Sequence, residues 1–429
     1  MVSKIIIVGA GVSGLAAARA LREKGYAPIV LEARDRIGGR VWTDRSFTGI
    51  PLEFGAEFVH GDNTATWKYI DEAHLNTTFS ADYSSQGYEH PEDGILSYEE
   101  ICKKPDFARV FELEDDVMRS HDPASGDASL RDWMMTLNLD PHAREFALRF
   151  FSHQYLAEPE NIGIADLGHE ERSPYRQSDD DFCIIEGYDT MVQHMASGLD
   201  IRTGTPVRAV RRIGSGIELQ TDTGTIDASK VIITVPPSLL SENCICFDPD
   251  LPSDKREALR AIRTGQGLKI HLLFTEKFWD PRFSVYFSLG NISMWWCPAA
   301  SVNHPNVHVL TGLVGGLQAA SLSNLTEEGI VSRAQQELSR LFGSTAPYSC
   351  FIKGKCVSWT EDPWSKGGYT YVPPGAYGVR QTLAKPIDNV IFFAGDSTVT
   401  DSNPSTVHGA IGTGLRAARE VCIADEMKQ

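Results

Sequence analysis

Gly9, Gly11 and Gly14 stand at Gly-x-Gly-x-x-Gly spacing directly after an apolar run, and an acid, Glu32, closes a second apolar run. Together these residues can bind a dinucleotide. Gly9 supplies a tight turn, Gly11 lets the backbone approach a pyrophosphate, and Gly14 permits close packing of a helix on a strand. The free N–H groups at the helix start would face the phosphate. Glu32 is placed to accept the ribose hydroxyls of an adenosine. Glycine spacing alone is weak, since glycines punctuate many loops. Here it has the right neighbours: Lys4 to Val8 reads as a buried strand, Leu15 to Lys24 as a helix rich in Ala, Leu and Arg, and Ala27 to Leu31 as a second strand.

Glu32 suits either a nicotinamide dinucleotide or the adenosine half of FAD. The extension Ile37-Gly38-Gly39-Arg40 favours FAD, because a flavoprotein must hold a longer, buried pyrophosphate and Arg40 is a natural phosphate partner. Ser13, Arg34 and Gly39 join the expected cofactor contacts. Near the other end, a strand from Asn389 runs into Gly395-Asp396, and Pro404-Ser-Thr406-Val407-His-Gly409 opens a helix expected to reach Glu420. Such a helix start can approach a flavin ring and stabilise negative charge on it, and Asp396 can accept a ribityl hydroxyl. The sequence carries one dinucleotide unit, without the second glycine-rich unit a nicotinamide-dependent reductase would need. Electrons are therefore expected to enter from an organic substrate and leave to O2 or another acceptor.

These motifs, with Gly55-Ala-Glu57-Phe58-Val-His60-Gly61, Val231 to Pro236, Gly267-Leu-Lys269 through Phe274, Phe278-Trp279, Trp359 and Gly367-Gly368-Tyr369, span nearly the whole chain. In that order the sequence resembles the flavin-containing amine oxidase family, most of all its polyamine oxidases. The resemblance implies an α/β FAD-binding (Rossmann-like) domain and an α+β substrate-binding domain, with the chain crossing between them several times. It assigns 1–80, 190–268 and 355–429 to the first, and 81–189 and 269–354 to the second.

The same resemblance places Lys269 under flavin N5, holding a water that assists imine hydrolysis, with the lysine promoting reaction with O2. In so apolar a run, Lys269 is expected to be buried with a lowered pKa. Tyr369 matches one wall of an aromatic cage around the substrate nitrogen, and Thr406 stands where monoamine oxidases have the second wall. Gly368 falls where those enzymes carry a flavin-linking cysteine, which implies non-covalent FAD. Phe58 and Val207 become cofactor contacts, Val207 through its backbone to adenine. His60 becomes a channel residue, and Glu57 and Asp62 become candidates to receive a second ammonium. Trp359 and Trp364 read as packing residues.

Amine oxidation needs a neutral nitrogen. For an alkylamine of pKa near 10, deprotonation at neutral pH costs roughly 4 kcal/mol, and an aromatic, low-dielectric pocket lowers that cost. The expected reaction is oxidation of a cationic amine of polyamine type to an imine, with hydrolysis and release of H2O2. An L-amino acid oxidase would need a carboxylate-clamping arginine, for which Arg172 and Arg282 are the candidates. A protoporphyrinogen oxidase or carotene desaturase would not call for Lys269 and Tyr369. A flavin-bound chromatin or scaffold subunit resembling histone demethylases is the reading from another class.

Composition sets the remaining bounds. The 429 residues, 42% of them hydrophobic, suffice for two domains. A formal charge of −17 argues against nucleic acid as partner and suits a cationic substrate. Asp179-Asp180-Asp181 and the stretch Tyr88 to Glu100 are candidate steering patches. Eight scattered cysteines lack zinc-site or redox spacing, so no metal and reduced thiols are expected. With a first strand at Lys4 and no membrane-length apolar run, the expectation is a cytoplasmic protein without a signal peptide or membrane span. The oligomeric state is not legible.

Overall fold

The structure, a computed structural model, describes residues 3–427 except 82, 106, 114–115, 118–125, 172–179, 299–303, 305 and 402. Ile5–Val8 is buried along its whole length, as a strand covered on both faces must be. It is the central strand of a five-stranded parallel sheet ordered Asp200–Arg202, Ile29–Leu31, Ile5–Val8, Lys230–Ile233, Ile391–Phe393. Register is set by pairs such as Ile6 with Ile29 and Ile7 with Ile232.

On one face of this sheet lie the helices Val12–Glu23 and Val407–Glu426, whose buried residues share one core with Ile5, Ile7 and Ile232. Small residues set how closely they approach. A Cβ on Gly14 would lie 2.0 Å from the Gly9 carbonyl oxygen, and one on Gly414 would lie 2.1 Å from that of Ser13. Gly414→Ala must push the two helices apart and should cost about 1–3 kcal/mol. A denaturant midpoint unchanged from wild type would contradict this packing.

A four-stranded sheet, Gly224–Ala228, Gly216–Thr221, Val207–Ile213 and Cys246–Asp248, lies within the core under the opposite face. The largest sheet has seven strands, ordered Phe351–Ser358, Gly267–Phe274, His308–Gly315, Met294–Trp296, Val285–Phe287, Gln86–His90, Gly94–Ser97. Gly267–Phe274 is an interior strand here, hydrogen-bonded on both sides. Glu327–Phe342, capped by Thr326, packs its apolar face on this sheet. A separate core gathers the rings of Tyr88, Phe107, Phe146 and Phe151 around the helix Pro141–Tyr155. That helix starts on an Asp140 cap and ends where Leu156 turns left-handed at φ 51°.

Element types follow the sequence reading, while several ends differ from it. The first helix begins at Val12, because Val12 and Ser13 are already buried against neighbours. The last runs past Glu420 to Glu426, because Val421 and Ala424 extend its buried stripe. Helix formers from Leu113 to Arg119 also predict a helix, and that stretch lies partly outside the described residues. Among the described residues no helix is long and apolar enough to cross a membrane.

Candidate active site

One cavity of about 800 Å³ is lined by the glycine turn, by Lys269 and by Tyr369 together. Its volume is at the upper end of the roughly 300–1,000 Å³ usual for small-molecule and cofactor sites.

At the dinucleotide end, Gly11 is the N-cap of the first helix, no side chain caps it, and a Cβ placed there would meet nothing within 4 Å. Open space beside an uncapped helix start is what a pyrophosphate requires. Glu32 is buried on the same wall, its Oε2 accepting from the Ala10 N–H at 2.7 Å and its Oε1 from the Arg34 N–H at 2.8 Å. Each oxygen keeps capacity for a second bond. Arg34 therefore serves this site through its backbone. Its guanidinium forks onto Asp362 at 2.7 Å for both bonds and reaches Ser365 at 2.8 Å, so it is not a free cofactor ligand.

Arg40 and Asp396, expected to contact different parts of the cofactor, are paired with each other, and Arg40 also donates to the Gly368 carbonyl. The Gly395 N–H donates to Thr413, whose hydroxyl also meets that of Ser13. Gly9, Gly39, Phe58, Val207 and Val407 line the same cavity. Glycine turn, helix start and Glu32 thus fit a flavin dinucleotide.

The apolar surroundings expected of Lys269 are not those it has. It is 4% exposed, and its Nζ donates to the Glu53 carbonyl at 2.7 Å, to the Gly55 carbonyl at 3.1 Å and to Glu57 Oε2 at 2.8 Å. An ammonium has three donors, and all three are occupied. A water can be held only if one contact opens, the Gly55 bond being the longest. Glu57 is occupied as well. Its Oε1 accepts from Trp296 Nε1 at 3.0 Å, and the Trp296 ring lies 5.0 Å below the ammonium. This corrects the expectation that Glu57 awaits a substrate ammonium. Nearby, burial pushes the Glu53 carboxyl up to about 7, against hydrogen bonds from the Tyr188 N–H and the Thr43 hydroxyl.

His60 lines another part of the cavity, with Nδ1 at 2.6 Å from Asp181 and nearly half its side chain exposed to that space. Enclosure by protein acts to lower its pKa, but the hydrogen bond and charge of Asp181 outweigh this and raise it. The contribution of this pair to stability is present below the unfolded histidine value of about 6.5 and lost as pH rises through the raised one. Asp62 is exposed and is not part of the cavity lining. Tyr369 lines the cavity, and burial pushes its hydroxyl pKa up. Thr406 lines it too, but its hydroxyl caps the last helix, donating to the Asn403 carbonyl at 2.7 Å and accepting from the Gly409 N–H at 3.0 Å. Trp359 packs in the core, donating to the Phe54 carbonyl.

Three side chains on this wall were not among the site residues the sequence singled out. Trp296 carried no signal beyond its type. Asp181 was legible only as part of an acidic triplet. His153 lies on the cavity wall with Nδ1 unpartnered, and burial holds its pKa down at about 4.

Comparison with known proteins follows the same lines. The chain is 28% identical over 97% of its length to lysine-specific histone demethylase 2 of Homo sapiens, but spans only 53%, about half, of that relative. It is 29% identical, again over 97% of its length, to polyamine oxidase 2 of Arabidopsis thaliana, of which it covers 87%. A solved structure of putrescine oxidase, the wild type bound to putrescine, shares the fold with a TM-score of 0.86 at 24% identity, over 99% of each chain. Residues 12–422 match the family described as flavin containing amine oxidoreductase, and the chain belongs to that family.

Proposed function

We propose that this protein oxidises a cationic amine of polyamine type, using non-covalently held FAD and O2, with release of H2O2. One observation carries the reading: a single cavity joins the dinucleotide turn to Lys269 and Tyr369 and to the acids Asp180 and Asp181. We assign 1–80, 190–268 and 355–429 to the cofactor, and 81–189 and 269–354 to the substrate. When bound, FAD supplies the two-electron acceptor for the carbon next to the amine nitrogen.

The chain's own residues do the rest. Tyr369 and Trp296 each present an aromatic ring to the cavity, and apolar surface of this kind favours the neutral nitrogen the reaction needs. Asp181 offers negative charge to a remote ammonium, with His60 held beside it. Gly368 supports non-covalent binding, since a glycine offers no thiol to link a flavin.

Asp181→Asn should weaken a diamine-length substrate by about 1.5 kcal/mol, roughly tenfold in KM, and leave a monoamine unchanged. It should also lower the His60 titration midpoint followed by NMR. Equal loss for both amines would exclude Asp181 from this role.

The L-amino acid reading lacks its clamp among the described residues. Arg34 and Arg40 are the arginines on the cavity wall, and both are paired with aspartates. Arg282 is exposed and paired with Asp280, and Arg172 lies outside the described residues. The test is anaerobic mixing with spermidine, spermine, putrescine, N-acetylspermine, L-amino acids and a methyl-lysine peptide, following bleaching of the flavin band. Polyamine bleaching is expected. Bleaching by amino acids or the peptide alone would overturn the substrate class.

A further inference from the structure

Both members of the Glu57–Lys269 pair are nearly sealed from solvent, with side chains 4% and 5% exposed. Glu57 has one oxygen on Lys269 and the other on Trp296, so its position is fixed from two sides. It comes from the segment after the strand Leu52–Glu53, while Lys269 belongs to the interior of the seven-stranded sheet. The pair therefore ties the cofactor side of the cavity to the sheet. We infer that Glu57 is a positioning residue that keeps Lys269 as a fixed ammonium on the cavity wall, so that chemistry there proceeds beside a permanent positive charge.

The physical argument is one of compensation. A buried lysine without a counter-charge sheds its proton, because burial disfavours the ion. With Glu57 and two carbonyls at hydrogen-bond distance, the ion is the satisfied form. Other titratable groups around the pair do not supply that charge. Glu53 gives Lys269 its carbonyl, while its carboxyl is bonded to Thr43 and Tyr188, feels the ammonium only through space, and is pushed up to about 7 by burial. Cys183 faces Glu57 from the strand Asp181–Ile184, with Asp181 beyond it, and burial pushes the thiol pKa up. His271, on the lysine's own strand, is fully buried against Thr311 and held uncharged by that burial. His153 faces Leu313, the register partner of Lys269, and burial keeps it neutral as well. Among the described residues, Glu57 is the carboxylate in hydrogen-bond contact with the ammonium.

Glu57→Gln tests this in the holoenzyme. With its counter-charge gone, Lys269 should release its proton within the accessible pH range. The unfolded chain then binds more protons than the folded one, and stability rises with pH. The gap in thermal midpoint between wild type and E57Q should be widest near pH 6 and shrink by a few degrees towards pH 9. It should not shrink for the E57Q/K269M double variant, and E57D should restore wild-type behaviour.

A second readout is the flavin potential. Reduction of E57Q should take up one extra proton per two electrons, adding about 30 mV per pH unit to the slope in that window. This second readout rests on the FAD reading of the cavity, whereas the thermal one does not, so the two failures are distinguishable. A pH-independent gap with a potential profile parallel to wild type would overturn the inference. If E57Q does not fold but the double variant does, the unpaired ammonium is the cause and the inference stands. If neither folds, Glu57 acts independently of Lys269 and the inference falls.

Discussion

Lys269→Met should leave the protein yellow while slowing its flavin reduction by amine, its reoxidation by O2, or both, by at least about 100-fold. Methionine fills similar volume without charge, so the change removes the ammonium from the cavity wall and little else from the packing. The loss of one preorganised charge or donor at a reacting centre commonly costs 10²–10³ in rate. The substitution also leaves Glu57 buried with a single partner, Trp296. Breaking a buried pair in this way should lower stability by about 3–5 kcal/mol, visible as a lower denaturation midpoint. Stopped-flow rates for both half-reactions equal to wild type would remove Lys269 from the chemistry.

Gly11→Leu should fold normally and purify colourless. The backbone at Gly11 has φ −69°, open to any residue, and no atom lies within 4 Å of a Cβ there, so neither the backbone nor the first side-chain atom meets resistance from the fold. The space it would fill is the approach to the first helix, where the pyrophosphate is expected to meet the backbone. Exclusion of even part of that contact should weaken FAD by at least about 2.7 kcal/mol, or a hundredfold in Kd. Circular dichroism like that of wild type, together with absent flavin absorbance, is the expected result. A yellow, fully loaded variant would show that the cofactor does not approach the chain at this turn.

The two substitutions separate what neighbouring residues in sequence could reveal from what they could not. The glycine turn, the strand before it, the helix after it and Glu32 all lie within the first 32 residues, and their placement follows from local rules of turn, cap and apolar run. The burial of Lys269 was likewise legible, because the mostly apolar run Leu268 to Phe274 reads as a buried segment.

The charge partners were not. Lys269 meets Glu57 across 212 residues, Arg40 meets Asp396 across 356, and His60 meets Asp181 across 121. Each side chain taken alone pointed elsewhere: to a substrate ammonium for Glu57, a phosphate for Arg40 and the substrate channel for His60. Sequence determined the elements and the dinucleotide turn, because backbone geometry and burial are set by residues a few positions apart. Only the tertiary structure decided which charges neutralise one another, because burying an ion requires a counter-ion and packing alone determines which one lies within reach.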